Sequence, residues 1–357
     1  MGTGRNNRKR TLLMMIDDLI ISRRDFLKYL GAASLSTVVP RAIPTSPNGV
    51  KPGGGKLGRV ATWNTLVRAG PYDKDKTVGF LKYDTVLPLP DKIVEAKDVS
   101  GFTHYFYEFG PERYVNCGWI QEVRDNPNYS KEVIPEGGCI GEICVPGTEV
   151  YLTPGGNKFR LRFYYESTFW VQKKVWDDQG KAYYQVLNDG NYIDSWYVPT
   201  WAIRMVRKAE IAPISPDVDP ALKRIDIDVT KQEVRAFEDN KEVFFARVST
   251  GLDITPTPLG FWATNRKRPT QRMHDLGGGA AAFDLPGVPW VSFFTIDGAA
   301  FHGAYWHSNW GFKMSNGCIN MRPKDAQWIY RWTLPRVPFD QLEATSKEAT
   351  AVHAFSS

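Results

Sequence analysis

Cysteine and histidine are scarce in this chain, at four and five of 357 residues. Four cysteines are too few for a disulfide scaffold of this length. No CxxC pair and no mixed His/Cys cluster has zinc-ligand spacing, so no metal site is expected. A long hydrophobic run is also missing. The stretch TLLMMIDDLII is broken by Asp17 and Asp18 and falls short of the roughly 20 apolar residues that span a bilayer. Net charge is nearly absent from the body of the chain. Residues 1–45 hold eight of the 45 Lys/Arg and three of the 39 Asp/Glu, which leaves 37 basic against 36 acidic residues elsewhere. Without a positive field to attract phosphates, nucleic acid is not an expected partner. Long amphipathic helices are lacking too. Twelve Trp, 16 Tyr, 19 Phe, 24 Pro and 31 Gly favour short strands and tight turns, and the chain is long enough for two or three domains.

The basic character belongs to the N-terminus, where SRRDFLKYLGAASLSTVVP places Arg23 and Arg24 before Phe26, Leu27, Lys28 and a run of small apolar residues. This resembles a twin-arginine export signal and predicts an exported protein, in the periplasm or cell wall. No cysteine follows the apolar run, so a lipoprotein anchor has no support; an uncleaved signal would act as a membrane tether. Export predicts paired thiols. Cys117, Cys139 and Cys144 allow one internal disulfide, expected to involve Cys139 or Cys144, while Cys318 stands alone.

Composition divides the remainder. After the 1–45 signal, residues 46–58 are rich in Pro, Gly and Ser and are expected to be a flexible linker. Short alternating apolar and aromatic runs follow in two segments, 59–125 and 140–207, each with a Pro-containing loop (Pro71, Pro154) and a closing aromatic strand. The layout resembles tandem SH3-like β-barrel modules of bacterial cell-wall proteins. Pro213, Pro216 and Pro220 mark a second linker at 208–222. From 223 to 357 the period-2 pattern sharpens, with three strands across RIDIDVTKQEVRAFEDNKEVFFARV and two around a turn at Asp297–Gly298. Only PKDAQWIYRW reads as a helix. Pro323 suits its first turn, Asp325 its N-terminal end, and Ile329 and Trp332 share a face.

Within that last segment, FHGAYWHSNWGFKMSNGCIN carries His302, His307 and Cys318. Sixteen residues separate His302 from Cys318, so they can meet only if the chain loops back. A thiol attacks as thiolate, and an imidazole beside it accepts its proton. Gly317 permits a sharp turn that would aim the amides of 317 and 318 at a developing oxyanion. These are the parts required for acyl transfer through a thioester, although a lone cysteine is more often a small buried hydrophobe.

HGAYWH…SNGCINM, preceded by VSTG…TPTPLGFWAT and followed by RPKDAQWIYRW, resembles the catalytic domain of L,D-transpeptidases of the YkuD type over about 223–335. The resemblance implies a mainly β sandwich with its nucleophile under a loop, acting on peptidoglycan peptide stems without a cofactor. It implies Cys318 as nucleophile and His302 as general acid/base. The Gly303 carbonyl would orient the imidazole, and the Gly317 and Cys318 amides would form the oxyanion hole. Asn320 would contact substrate, with Asp297 and Gly298 in the substrate-binding turn and Ser315, Asn316 and His307 beside them. His307 has a second reading, as a loop-packing residue next to Trp306. The family has His where this chain has Asn316. Asn keeps hydrogen-bonding capacity but carries no proton, so a less acidic thiol is expected.

The expected function is therefore an exported, monomeric L,D-transpeptidase that forms 3→3 crosslinks with release of D-Ala. Water as acceptor would make it an L,D-carboxypeptidase, and a lesion at Asn316 would leave a cell-wall-binding protein. A papain-like protease is disfavoured because its Cys precedes its His.

Overall fold

The computed structural model describes residues 56–98, 102–129, 132–189, 195–275 and 283–357. The chain divides between Pro47 and Asn48, and every described residue belongs to the second unit. The export signal and most of the first linker lie outside the described residues. That linker was expected to run to Gly58, but Leu57 and Gly58 already belong to the first strand. Gly58 is there for close approach: a Cβ on it would lie 2.6 Å from both Ile120 and Leu89 side chains.

Eight strands build the first β unit: β1 (Leu57–Val60), β2 (Thr65–Arg68), β3 (Thr77–Leu81), β4 (Val86–Pro88), β5 (Ile93–Lys97), β6 (Thr103–Glu108), β7 (Tyr114–Asn116) and β8 (Ile120–Val123). They form one sheet in the order β4-β1-β8 and another in the order β3-β2-β7-β6-β5. Val60, Tyr107, Val115 and Ile120 fill the space between them.

The second unit comprises β9 (Cys139–Ile143), β10 (Gly147–Tyr151), β11 (Lys158–Tyr164), β12 (Thr168–Trp176), β13 (Ala182–Leu187), β14 (Ser195–Pro199) and β15 (Ile203–Met205), ordered β11-β10-β14-β13-β12-β9-β15. The expected disulfide is not formed, and all four cysteines are free thiols. Cys139 and Cys144 lie five residues apart along one extended segment, which turns their side chains to opposite faces. Cys139 Sγ contacts Met205 Sδ at 3.4 Å, whereas Cys144 joins the core of the second unit.

The third unit contains β16 (Lys223–Asp228), β17 (Glu233–Glu238), β18 (Lys241–Arg247), β19 (Gly260–Asp275), β20 (Phe283–Phe293), β21 (Ala300–Gly303), β22 (Ile319–Met321), helix α1 (Pro323–Trp332) and β23 (Ala344–Phe355). Its strands are hydrogen-bonded in the order β18-β17-β16-β23-β19-β20-β21-β22. The helix forms where the sequence placed it, with Pro323 in the first turn and Ala326, Ile329, Tyr330 and Trp332 buried.

The proline-rich 208–222 segment is a strap. Ile214 N–H donates to Arg331 O (3.1 Å), Arg331 Nε donates to Ala212 O (2.8 Å), and Gln327 Nε2 donates to Glu210 O (3.2 Å). Ile211 and Ile214 pack on the main core. It runs along α1 as short 3-10 turns at Lys208–Ile211 and Pro220–Leu222 joined by bends, whereas in sequence its prolines resemble a spacer.

Candidate active site

A parallel pairing of β21 with β22 brings the two halves of the site together. Phe301 lies opposite Ile319, His302 opposite Asn320, and Gly303 opposite Met321. Side chains alternate along a strand. Phe301, Ile319 and Met321 therefore turn into the main core, while Cys318 packs with Ala300 and Trp306 in a separate cluster. Cys318 immediately precedes β22 on the face shared by His302 and Asn320. Sixteen residues of sequence thus become one diagonal step across a sheet.

The turn that carries Cys318 is held from two sides. Ser315 Oγ donates to Cys318 O (2.5 Å) and accepts from Gly317 N–H (3.1 Å). Gly317 adopts φ 109°, a left-handed conformation open to glycine. Thr257 Oγ1 donates to Gly317 O (3.0 Å) and accepts from Gly251 N–H (2.9 Å). Gly251 must be glycine, because a Cβ there would sit 2.3 Å from Thr255 O. VSTG and TPTPLG are thus the two rails that clamp the turn. Asn316 is exposed at its tip, where its Oδ1 accepts from Thr255 Oγ1 at 3.3 Å.

Around the sulfur, backbone groups dominate. The Asp297–Gly298 turn, closed by Ala299 N–H donating to Thr295 Oγ1 (2.9 Å), puts Gly298 O 3.8 Å from Cys318 Sγ. Burial pushes the Cys318 thiol above its ordinary value, and the Ala300 backbone N–H works in the opposite direction by donating to the sulfur. Asp297 itself is exposed.

Both imidazoles are buried. His302 Nδ1 lies 3.2 Å from Gly303 O. A carbonyl only accepts, so the proton sits on Nδ1 and Nε2 is left as the base. Burial holds the His302 pKa down at about 4, against a smaller upward pull from the Gly303 carbonyl. Gly303 has no room for a side chain: a Cβ would meet Pro289 Cγ at 2.7 Å and Pro323 Cα at 2.9 Å. His307 Nδ1 accepts from Asn309 N–H (3.2 Å), and its Nε2 faces the Asn320 amide at 2.8 Å. The Asn320 atom beside it is Nδ2; with Nδ1 accepting, Nε2 carries the proton, so the amide must turn its carbonyl oxygen toward Nε2 to accept it. Burial, and then the charge of His302, hold His307 at about 3. The resting site is therefore a neutral thiol beside two neutral imidazoles, with the proton still to move.

The structure brings together Cys318, His302, Gly303, Gly298 and Asn320, and it links His307 to the site through Asn320. Ser315 is buried and its hydroxyl is engaged by the Cys318 turn itself. The Gly317 N–H, expected to be free for an oxyanion, points at Ser315 Oγ. Several contributors had no local sequence signal. Ala300 acts through its amide. Thr257 and Ser249, whose Oγ donates to Asn309 O at 2.7 Å, belong to quoted motifs but carry no distinctive chemistry. Trp306 lies against His302 with ring centroids 5.8 Å apart.

A family model described as the L,D-transpeptidase catalytic domain (YkuD) matches residues 222–340. Among solved structures, the chain is similar to an Enterococcus faecium L,D-transpeptidase mutant at 20% identity, over 37% of this chain and 49% of that one, with a TM-score of 0.30. It is similar to an L,D-transpeptidase from Mycobacterium smegmatis at 18% identity, over 46% and 75% of the two chains, TM-score 0.31. L,D-transpeptidase 3 from Mycobacterium tuberculosis, solved with a faropenem-derived adduct, is 17% identical over 46% and 75%, TM-score 0.31. The match spans about half the length of the Enterococcus protein. No curated protein matches the chain significantly.

Proposed function

We propose, with residues 222–340 an L,D-transpeptidase catalytic domain, that this protein forms 3→3 crosslinks in peptidoglycan through an acyl-enzyme on Cys318. The observation that carries the reading is the pairing of β21 with β22. It sets Cys318 one step from a His302 whose Nδ1 is tied to Gly303 O and whose Nε2 is free to accept a proton.

In this reading Cys318 attacks the amide carbonyl between the third stem residue and the terminal D-Ala. Its proton passes to His302 Nε2 and then to the departing amine, the C–N bond breaks, and a thioester remains. A side-chain amine of a second stem attacks the thioester, the thiolate leaves, and the proton returns through His302. No metal or organic cofactor enters. The Cys318 N–H faces the developing oxyanion, joined by the Gly317 N–H once it turns from Ser315. Asn320, Gly298 and Asp297 border the acceptor side, Asn316 stands at the rim, and His307 fixes Asn320.

The 59–125 and 140–207 segments serve as SH3-like wall-binding modules, supported by their short antiparallel strands. The 1–45 segment exports a monomeric chain to the cell wall or periplasm, leaving a membrane tether where it is not cleaved. Among the described residues no helix is long and apolar enough to cross a membrane.

The test is incubation of the 56–357 protein with disaccharide-tetrapeptides, followed by mass spectrometry. Dimers linked 3→3 are expected, and Cys318→Ala should yield none. Trimmed tripeptides without dimers would make the protein an L,D-carboxypeptidase. Dimers formed by Cys318→Ala would overturn the mechanism.

A further inference from the structure

Arg59 is a charged residue of the first β unit, yet only 2% exposed. A guanidinium withdrawn from water is costly unless every donor finds a partner. Here the donors reach three places. Nε donates to Gln121 Oε1 (3.0 Å), Nη1 to Asp84 Oδ1 (2.9 Å), and Nη2 to the backbone carbonyl of Tyr305 (2.8 Å). The guanidinium also lies over the Tyr164 ring at 3.9 Å. Asp84 in turn accepts from Arg162 Nη1 (3.1 Å) and Tyr164 Oη (3.0 Å). One arginine thus ties the first β unit to the second and to the segment that follows His302.

A second clamp closes on the same segment. Ser308 N–H donates to Gly118 O at 2.7 Å. Gly118 is packed so closely that a Cβ on it would fall 1.5 Å from Asn309 Oδ1. His104 stacks on Phe312 with centroids 4.7 Å apart. From Asn309 the contacts run inward: its N–H donates to His307 Nδ1, and His307 Nε2 meets Asn320, two residues beyond Cys318. From Tyr305 they run to Trp306, at 5.1 Å, and on to His302.

We propose that the first β unit is part of the catalytic apparatus, with Arg59 and Gly118 as positioning residues that hold the 304–317 segment over Cys318 and His302. This rests on the transpeptidase reading above. The isolated third unit supplies the nucleophile and the base; the first unit fixes Trp306 and His307, which pack beside them and keep the site dry.

The experiment measures acylation of Cys318 by a carbapenem in the 56–357 protein, by intact mass, resolving the limiting rate from the concentration for half-saturation. Gly118→Ala drives a methyl into Asn309 and should cut the limiting rate by about tenfold or more, since displacements near 1 Å have such effects. Asn309→Gly removes the clashing side chain, so adding it to Gly118→Ala should restore most of that loss, as coupled neighbours do. Arg59→Met should resemble Gly118→Ala, and Arg59→Lys should rescue only in part, because one ammonium cannot reproduce the planar fork. The acid limb of the rate profile is the readout that a merely structural role would not move. It lies near the His302 value of about 4, with His307 and Cys318 the titrating neighbours. It should climb toward the ordinary imidazole value of about 6.5 when the cover is displaced.

Wild-type rates and an unmoved acid limb in both Gly118→Ala and Arg59→Met would overturn the inference, as would a double variant no better than Gly118→Ala alone. An unacylated wild-type protein would instead sink the transpeptidase reading, and this inference with it.

Discussion

Asn316 occupies the position at which the sequence departs from the family it resembles, and its surroundings limit the consequence. The side chain is exposed and accepts from Thr255 Oγ1, outside the hydrogen bonds that fix His302. Asn316→His should therefore change the rate of Cys318 acylation by less than about tenfold, or about 1.4 kcal/mol, whereas Cys318→Ala should abolish it; intact mass against time checks both. The buried imidazoles have a larger effect, on stability. His302 and His307 titrate at about 4 and about 3 when folded, against about 6.5 unfolded. Between those values the unfolded chain binds more protons, so stability rises with pH. The stabilisation should be complete above pH 6.5 and lost progressively as pH falls toward 4 and 3. Thermal midpoints measured from pH 7 to 4 should fall, and His307→Gln should flatten the slope. That His302 and Cys318 share one face was legible in sequence only as a requirement that the chain loop back, which the β21–β22 pairing meets. The Gly317 amide was not, because only the Ser315 hydroxyl, set by the turn's geometry, decides where that N–H points.

Helix α1 was legible in sequence, but the means by which it is fastened was not. Lys267 of β19 is buried, and its Nζ donates to Tyr330 O (2.5 Å) and Thr333 O (2.7 Å). Lys223 Nζ donates to Ser215 O (2.8 Å) and Trp332 O (3.3 Å). Two lysine amines thus donate to carbonyls at the helix C-terminus, although burial holds the pKa of Lys267 well below its ordinary value and lowers that of Lys223. Pro323, at the other end, bounds the space that keeps Gly303 a glycine, so the helix and the His302 carbonyl partner are mechanically joined. Lys267→Met keeps the length of the side chain but removes both donated bonds. It should lower the unfolding free energy by about 1–3 kcal/mol, the cost of leaving buried carbonyls unsatisfied, measured by urea titration. An unchanged midpoint would mean the carbonyls find other donors. Lysines in alternating strands look like solvent-facing positions in sequence, and nothing local distinguishes Lys267 from its neighbours. The 208–222 strap was missed for a related reason: proline density signals a boundary equally well whether the segment hangs free or lies along a helix.

The three β units were legible as separate sequence blocks, but they do not fold as separate bodies. Ile140, Trp170 and Val206 from the second unit share one hydrophobic core with Ile225, Trp290, Phe301 and Ile329 of the third. Polar contacts reinforce the seam. Thr168 Oγ1 donates to Pro269 O (2.8 Å), and Thr270 Oγ1 returns a bond to Thr168 O. Asp189, buried and raised by that burial, pairs with Arg268 and accepts from Arg272 N–H (3.1 Å). Gly287 is flush against Phe169, where a Cβ would come within 2.3 Å of the ring. Contacts across some hundred residues of chain leave no periodic trace in sequence, since each strand's alternation reports only that one face is buried, not what covers it. The isolated 223–357 segment would therefore expose the faces that Trp170 and Ile140 cover and leave Arg268 without Asp189. Contiguous apolar surface of this kind promotes association. The segment should elute as aggregates in gel filtration and melt at a lower temperature than the 56–357 protein, and its Cys318 should acylate more slowly. A soluble monomer with the full chain's midpoint would show that the shared core is dispensable to the third unit.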